Sequence, residues 1–219
     1  IRTSWLVMGH PTPPLTPDFG LSGNYVGTMK GVLAALCPAA RVIDITHGVP
    51  AFSILEAAYA VSQAAEYFPR GTVHVVVVDP GVGTSRRGIL VYAGGQIFIG
   101  PDNGVFTLIL DRDKSARVFT LADRRLWLDE PSSTFHGRDL FAPAAARVAN
   151  GEIKPKKVGP EITDAVLLPE AQPRSVGKSR WRGVVLSIDS FGNVITNFRK
   201  TTAEVQAGHF VLQAGMGRI

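Results

Sequence analysis

The residues most able to do chemistry stand in two short stretches. The first is Asp79-Pro80-Gly81-Val82-Gly83-Thr84-Ser85-Arg86-Arg87, which places a carboxylate and two guanidinium groups at either end of one glycine-rich loop. The second is Ser133-Thr134-Phe135-His136-Gly137-Arg138-Asp139, where a histidine directly precedes a helical pattern. A carboxylate, a guanidinium and an imidazole are groups able to exchange protons and balance charge. Each stretch also has a plain structural reading. Asp before Pro-Gly opens turns, and Asp139 suits a helix N-cap.

Both stretches border elements that the hydrophobic pattern predicts. Val73, Val75, Val76, Val77 and Val78 form a β-branched run expected of a parallel strand buried on both faces, and it leads straight into Asp79. Upstream, Val26, Met29, Leu33 and Leu36 recur at helical spacing before Pro38, and Arg41 to Ile45 reads as a short strand. Ile54, Ala57, Ala58, Val61, Ala64, Ala65 and Phe68 form a second helical stripe. This alternation predicts a parallel α/β sheet with right-handed crossovers, in which ligands lie beyond the carboxyl ends of the strands. Gly88 to Tyr92 and Gln96 to Ile99 flank Ala93-Gly94-Gly95 as a hairpin, and Leu140, Phe141, Ala144, Ala145 and Val148 make a third helix. Glu152 to Arg182, with Pro155, Pro160, Pro169 and Pro173, reads as a linker or long connection. Gly183 to Ile188, Val194 to Asn197 and His209 to Leu212 read as strands of a small β domain.

Several chemistries are excluded by pattern. Gly81 and Gly83 are followed by Arg86, so the three-glycine dinucleotide fingerprint fails, and neither a phosphate loop nor a Gly-x-Ser-x-Gly elbow occurs. The five histidines (His10, His47, His74, His136 and His209) are far apart and Cys37 is the single cysteine, so neither a metal site nor an internal disulfide is expected. No apolar run approaches the length of a membrane span. With 219 residues, 45% hydrophobic and 19% charged, the chain has the composition of a globular protein able to bury a sizeable core. Its net charge of +5 is scattered in pairs such as Arg124-Arg125 and Lys156-Lys157, with no basic run, which argues against a nucleic-acid partner. A cytoplasmic protein is the expectation, since no leader pattern is seen.

Seven ordered blocks then carry a resemblance. They are Asp18-Phe19-Gly20, Tyr25 to Gly31, Asp44-Ile45-Thr46-His47, Asp79 to Arg87, Gly100-Pro101-Asp102-Asn103-Gly104-Val105, Phe135 to Asp139, and Asp189-Ser190-Phe191-Gly192-Asn193. Together they resemble the S-adenosyl-L-methionine (SAM) hydroxide adenosyltransferases, or SAM hydrolases, relatives of the fluorinating and chlorinating enzymes. The resemblance implies a mainly parallel N-terminal α/β sandwich followed by a small C-terminal β-barrel-like domain, here residues 1–175 with the connection and residues 176–219. It implies a homotrimer whose sites lie between one subunit's first domain and its neighbour's second.

The implied reaction is attack of water or hydroxide on the 5′ carbon of SAM, giving adenosine and methionine with no cofactor. The family's Asp-Arg-His triad falls on Asp79, Arg86 and His136, and the halide-using relatives lack it. In that scheme the histidine takes the proton while Asp79 and Arg86 orient the water. By the same resemblance Asp18 binds the ribose hydroxyls, Phe52 packs near the sugar, Asp189 meets the methionine ammonium, and Phe191 and Asn193 contact adenine. Two departures stand out. Pro11, Pro13, Pro14 and Pro17 follow a strand expected at Trp5 to Met8, and proline cannot donate to a sheet ladder. The chain also ends at Ile219, short of the family's usual C-terminal segment, so the β domain is expected to be incomplete. A non-catalytic SAM- or adenosine-binding module and a SAM-dependent halogenase are the alternative functions.

Overall fold

The computed structural model describes residues 11–178 and 180–199. The strands expected at Trp5 to Met8 and His209 to Leu212 lie outside these residues. The chain divides into two compact units, Ile1–Leu168 and Pro169–Ile219.

The first unit is built on a seven-stranded sheet of order β2-β1-β3-β5-β4-β6-β7. Its strands are β1 (Pro14–Pro17), β2 (Ile43–Asp44), β3 (Val73–Val77), β4 (Gly88–Ala93), β5 (Gln96–Pro101), β6 (Arg117–Thr120) and β7 (Glu161–Ile162). Strands β2, β1, β3 and β5 are parallel, whereas β4, β6 and β7 pair antiparallel. The expected parallel sheet therefore fills only half of the layer. The antiparallel half follows from Gly94-Gly95, whose φ values of 58° and 80° suit the two-residue hairpin turn joining β4 to β5.

Helices cover both faces. Helix α1 (Tyr25–Leu36) packs with α4 (Ala142–Ala149) on one side, and α2 (Ile54–Ala64) with α3 (Thr107–Arg112) on the other. The valine strand serves both layers by alternation. Val73, Val75 and Val77 join the core with Met29, Leu33 and Ala145, while Val76 and Val78 join Ala57, Val61 and Ile109. No helix among the described residues is long and apolar enough to cross a membrane.

Three features differ from the sequence reading. The proline-rich stretch is itself β1, fully buried between β2 and β3. Pro14 opens the strand, where a missing donor is tolerated. Leu15 C=O accepts from Ile45 on the β2 side, while Asp18 N–H donates to Val77 on the β3 side. By alternation Pro17 would point its nitrogen towards β2, which ends at Asp44. Second, α3 and β6 had no periodic signal, because six and four residues are too few to show one. Third, Glu152 to Arg182 is not a plain linker. Val158 is buried and its carbonyl accepts from Ala122 and Asp123, and Glu161–Ile162 pairs with β6.

In the second unit, β8 (Arg174–Gly177) pairs with β9 (Arg180–Arg182), and β10 (Val185–Ile188) with β11 (Val194–Thr196), both antiparallel. The described residues form two hairpins rather than a closed barrel.

Candidate active site

Parallel strands bring their carboxyl ends to one edge of the sheet. Asp18 follows β1, and Asp79 lies two residues beyond the end of the neighbouring β3. Strand β4 runs antiparallel to β5, with Gly88 opposite Pro101, so it starts at the edge where β5 ends. The Asp79–Arg87 connection thus needs no crossover helix and stays at that edge. Within it, Val82 N–H bonds Asp79 C=O, Thr84 N–H bonds Gly81 C=O, and Arg86 N–H bonds Thr84 Oγ1, folding the loop back on itself.

The folded loop returns Arg86 to Asp79. Arg86 Nε donates to Asp79 Oδ1 at 3.0 Å, and Nη2 donates to Oδ2 in the second arm of a bidentate pair. Both side chains are almost fully buried, with 5% of Asp79 and 7% of Arg86 exposed. A buried ion pair is weak evidence for stability but marks a candidate functional site. Arg86 Nη1 is also buried, with no hydrogen-bond partner among the described residues.

His136 comes from the other loop. It caps a π-helical turn, Gly137–Phe141, that runs into α4, and such turns recur at functional sites. Its Nδ1 lies 2.9 Å from Arg86 Nη2. A guanidinium has no acceptor, so Nδ1 must be the accepting nitrogen, and the neutral ring carries its proton on Nε2. Burial, followed by the nearby Arg86 charge, holds the imidazole below its ordinary range and keeps it neutral. The simple expectation that His136 takes the proton from water therefore meets an obstacle, since Nδ1 is already occupied and Nε2 is a donor.

Two further contacts hold these loops together. Gly83 has φ +79°, and a Cβ there would stand 2.5 Å from Ser133 C=O, so only glycine lets the two loops approach this closely. Asp139, buried in the π-helical turn, accepts from Ser132 N–H at 2.8 Å and Ser132 Oγ at 2.9 Å, while Ser132 Oγ accepts from Phe135 N–H. The Asp139 carboxyl is held below its usual range despite burial, through bonds from Arg138 and then Ser132. Asp139 thus ties down the segment leading into His136. Spacing alone pointed to an N-cap role, a position that His136 takes instead, and missed this one.

A cavity of about 250 Å³ opens here, and its lining includes Asp18, Phe52, Asp79, Phe135 and His136. Asp18 Oδ2 accepts from Phe52 N–H at 2.8 Å. Phe52 has φ 67° and is 67% exposed, a left-handed conformation unusual for an aromatic residue and a mark of a functional loop. Phe19, Tyr25 and Phe135 form a cluster of ring contacts with centroids 5.0 to 5.7 Å apart. All three belong to the blocks of the resemblance, but nothing in their spacing says that they meet. Among the described residues, no group of three His, Cys, Asp or Glu side chains is placed to hold a metal ion.

Asp189, Phe191 and Asn193 lie in the second unit, in the turn between β10 and β11. Asp189 Oδ1 accepts from Phe191 N–H and Asn193 N–H, and Oδ2 from the Asn193 side-chain amide at 2.7 Å. These bonds, the Asn193 side-chain amide first, hold the Asp189 carboxyl below the usual carboxylate range. Phe191 is 89% exposed.

A mixed α/β layer with a carboxyl-edge cavity, backed by a buried acid–guanidinium pair that meets a half-buried imidazole, defines a class of small-molecule-handling α/β proteins. Comparison with known proteins narrows it. The profile of the SAM hydroxide adenosyltransferase N-terminal domain matches residues 14–159. The (R)-S-adenosyl-L-methionine hydrolase of Thermus thermophilus is 40% identical over 206 residues, covering 90% of this chain and 77% of that protein. A fluorinase from Actinoplanes is 25% identical over 222 residues, covering 90% and 74%. The crystal structure of an uncharacterized conserved protein from Thermotoga maritima superposes with a TM-score of 0.77 at 39% identity, over 85% of this chain and 70% of that one. The chain belongs to the SAM hydroxide adenosyltransferase family.

Proposed function

We propose that this protein hydrolyses S-adenosyl-L-methionine to adenosine and L-methionine, with Asp79, Arg86 and His136 as the groups that handle the attacking water. The observation that carries this reading is the meeting of those three side chains from two separate loops, with Asp79 and His136 lining one cavity and Arg86 behind them. The oxygen of water bonds to the ribose 5′ carbon as the carbon–sulfur bond breaks, and the electron pair leaves with sulfur as a neutral thioether. The leaving group needs no help, so positioning the nucleophile is the main task. Asp79 accepts a hydrogen bond from the water. As the new bond forms, that water becomes a strongly acidic oxonium, so even a carboxylate paired with arginine is basic enough to take its proton. Arg86 fixes the carboxylate, and His136 orients the nucleophile through Nε2–H.

Asp18 and Phe52 serve the ribose in this scheme. One Asp18 oxygen is already committed to Phe52 N–H, which leaves the other for a sugar hydroxyl. A cavity of about 250 Å³ is below the usual range for pockets that bury whole ligands of this size, which supports a second wall supplied from elsewhere. We assign that wall to the Asp189–Asn193 segment of a neighbouring subunit in a trimer, with the β hairpins as part of a barrel-like domain. Asp189 would meet the methionine ammonium, and Phe191 and Asn193 the adenine. The reaction would run in the cytoplasm without a cofactor.

Two other readings make different demands. A non-catalytic SAM-binding module would not need a buried Asp79–Arg86 pair held against His136, and a halogenase would take halide in place of water. Reaction in heavy-oxygen water separates all three. Label at the 5′ oxygen of adenosine is the expected result. Unchanged SAM would point to a binding module, and a 5′-halo nucleoside formed only with halide would point to a halogenase.

A further inference from the structure

The Gly100–Val105 block has no part in the scheme above, yet its polar side chains, buried Asp102 and half-buried Asn103, bond the two ends of the Asp79–Arg86 loop. The last register pair between β3 and β5 is Val75 with Ile99. Beyond it the strands no longer share a ladder, and a buried carbonyl at Val78 needs another donor. Asn103 supplies one, since its side-chain amide donates to Val78 C=O at 2.8 Å while its own oxygen accepts from Val105 N–H. Val78 is the residue immediately before Asp79.

The other stem of the loop is held by the neighbouring residue. Asp102 N–H donates to Arg87 C=O at 2.9 Å, extending the β4–β5 ladder by one step. The Arg87 side chain returns to the Asp102 carboxylate, with Nε 2.8 Å and Nη2 2.6 Å from Oδ2. Only 2% of the Asp102 side chain is exposed, and its Oδ1 accepts from Val166 N–H. Arg87 also reaches Asp164 through Nη1, at 3.0 and 3.1 Å from its two carboxylate oxygens. Two adjacent arginines thus do different work. Arg86 faces inward to Asp79, while Arg87 faces away and is anchored.

We infer that Arg87, Asp102 and Asn103 are positioning residues that clamp both stems of the Asp79–Arg86 loop, an inference that rests on the hydrolytic reading of that loop. A carboxylate and a guanidinium that must hold a water in line with a breaking bond tolerate little displacement, and an error of about 1 Å costs about a hundredfold in rate. The clamp sets that register without touching the substrate. It therefore acts on turnover and on the approach of Arg86 to His136, and leaves ground-state binding alone.

The test uses the full chain with Asn103→Ala and Arg87→Lys. The titration of His136 is followed by NMR, with its signal assigned from its loss in His136→Gln. Adenosine formation gives kcat and KM. In the wild type, burial and then the charge of Arg86 held against the ring should keep His136 titrating below the ordinary histidine range. Both variants should move the midpoint back towards that range and lower kcat about tenfold or more at nearly constant KM. Folded variants with the wild-type midpoint would overturn the inference even if kcat fell, since the loss would then arise elsewhere. Should Asn103→Ala not fold, Arg87→Lys decides alone, because it keeps the charge at a site one-third exposed and removes only the fork. If the wild type makes no adenosine, the hydrolytic reading fails and the clamp is judged on the midpoint.

Discussion

His74 is fully buried in β3, its ring stacked on Phe98 at 4.6 Å and 10°. Its Nε2 lies 2.7 Å from Gln96 Oε1, and the Gln96 amide donates to the carbonyls of Ala65 and Phe68. Gln96 therefore presents its oxygen to the ring, which fixes the Nε2–H tautomer and leaves Nδ1 without a hydrogen-bond partner among the described residues. Burial, opposed by that bond, brings the pKa of His74 to about 4 from 6.5. The unfolded chain binds more protons than the folded one between these values. The contribution to stability is thus complete above the unfolded pKa and lost as pH falls towards 4, about 3 kcal/mol in all. Urea unfolding at pH 7 and pH 4.5 should show the loss, and His74→Gln should flatten that pH dependence. A slope equal to that of the wild type would assign it to other groups. The group lies outside the proposed chemistry, so its effect on stability is separable from any effect on turnover.

At the scale of elements, the site depends on how closely two loops can pass. Gly83→Ala adds a Cβ against Ser133 C=O and forces an unfavourable φ. The cost should be about 2 kcal/mol in stability, with turnover falling about a hundredfold as His136 moves off Arg86. A melting curve and an adenosine assay on the variant test this, and a neutral result would show that the loops can separate without consequence. Much of this arrangement was legible in the sequence. Asp79 followed an unmistakable valine strand, and His136 preceded a helix with a clear stripe. What could not be read was the side of the imidazole that faces Arg86, because it depends on the approach of two loops and not on spacing. Strand β1 was hidden for a different reason. Proline argues against a central strand unless the neighbouring strand is known to end before its missing donor matters. The short α3 and β6 gave no period to recognise, and β7 is a strand only because β6 lies beside it.

At the scale of the whole molecule, the proposed trimer makes a prediction that no single chain could satisfy. Asp79→Ala and Asp189→Ala subunits, each inactive alone, should regain activity when dissociated, mixed and reassembled, because some interfaces then pair two intact halves. Full activity in a sedimenting monomer, or no recovery in verified mixed trimers, would overturn the shared site. The antiparallel β4 has a consequence for how such a site is made. It reduces the path between Asp79 and Arg86 to seven positions, a span that an unfolded chain closes in about a hundred nanoseconds or less. The imidazole lies fifty positions after Arg86. On a ribosome adding about ten residues each second, the acid and the guanidinium emerge together and the histidine follows about five seconds later. For that interval the nascent chain has released two members of the cluster and not yet the third.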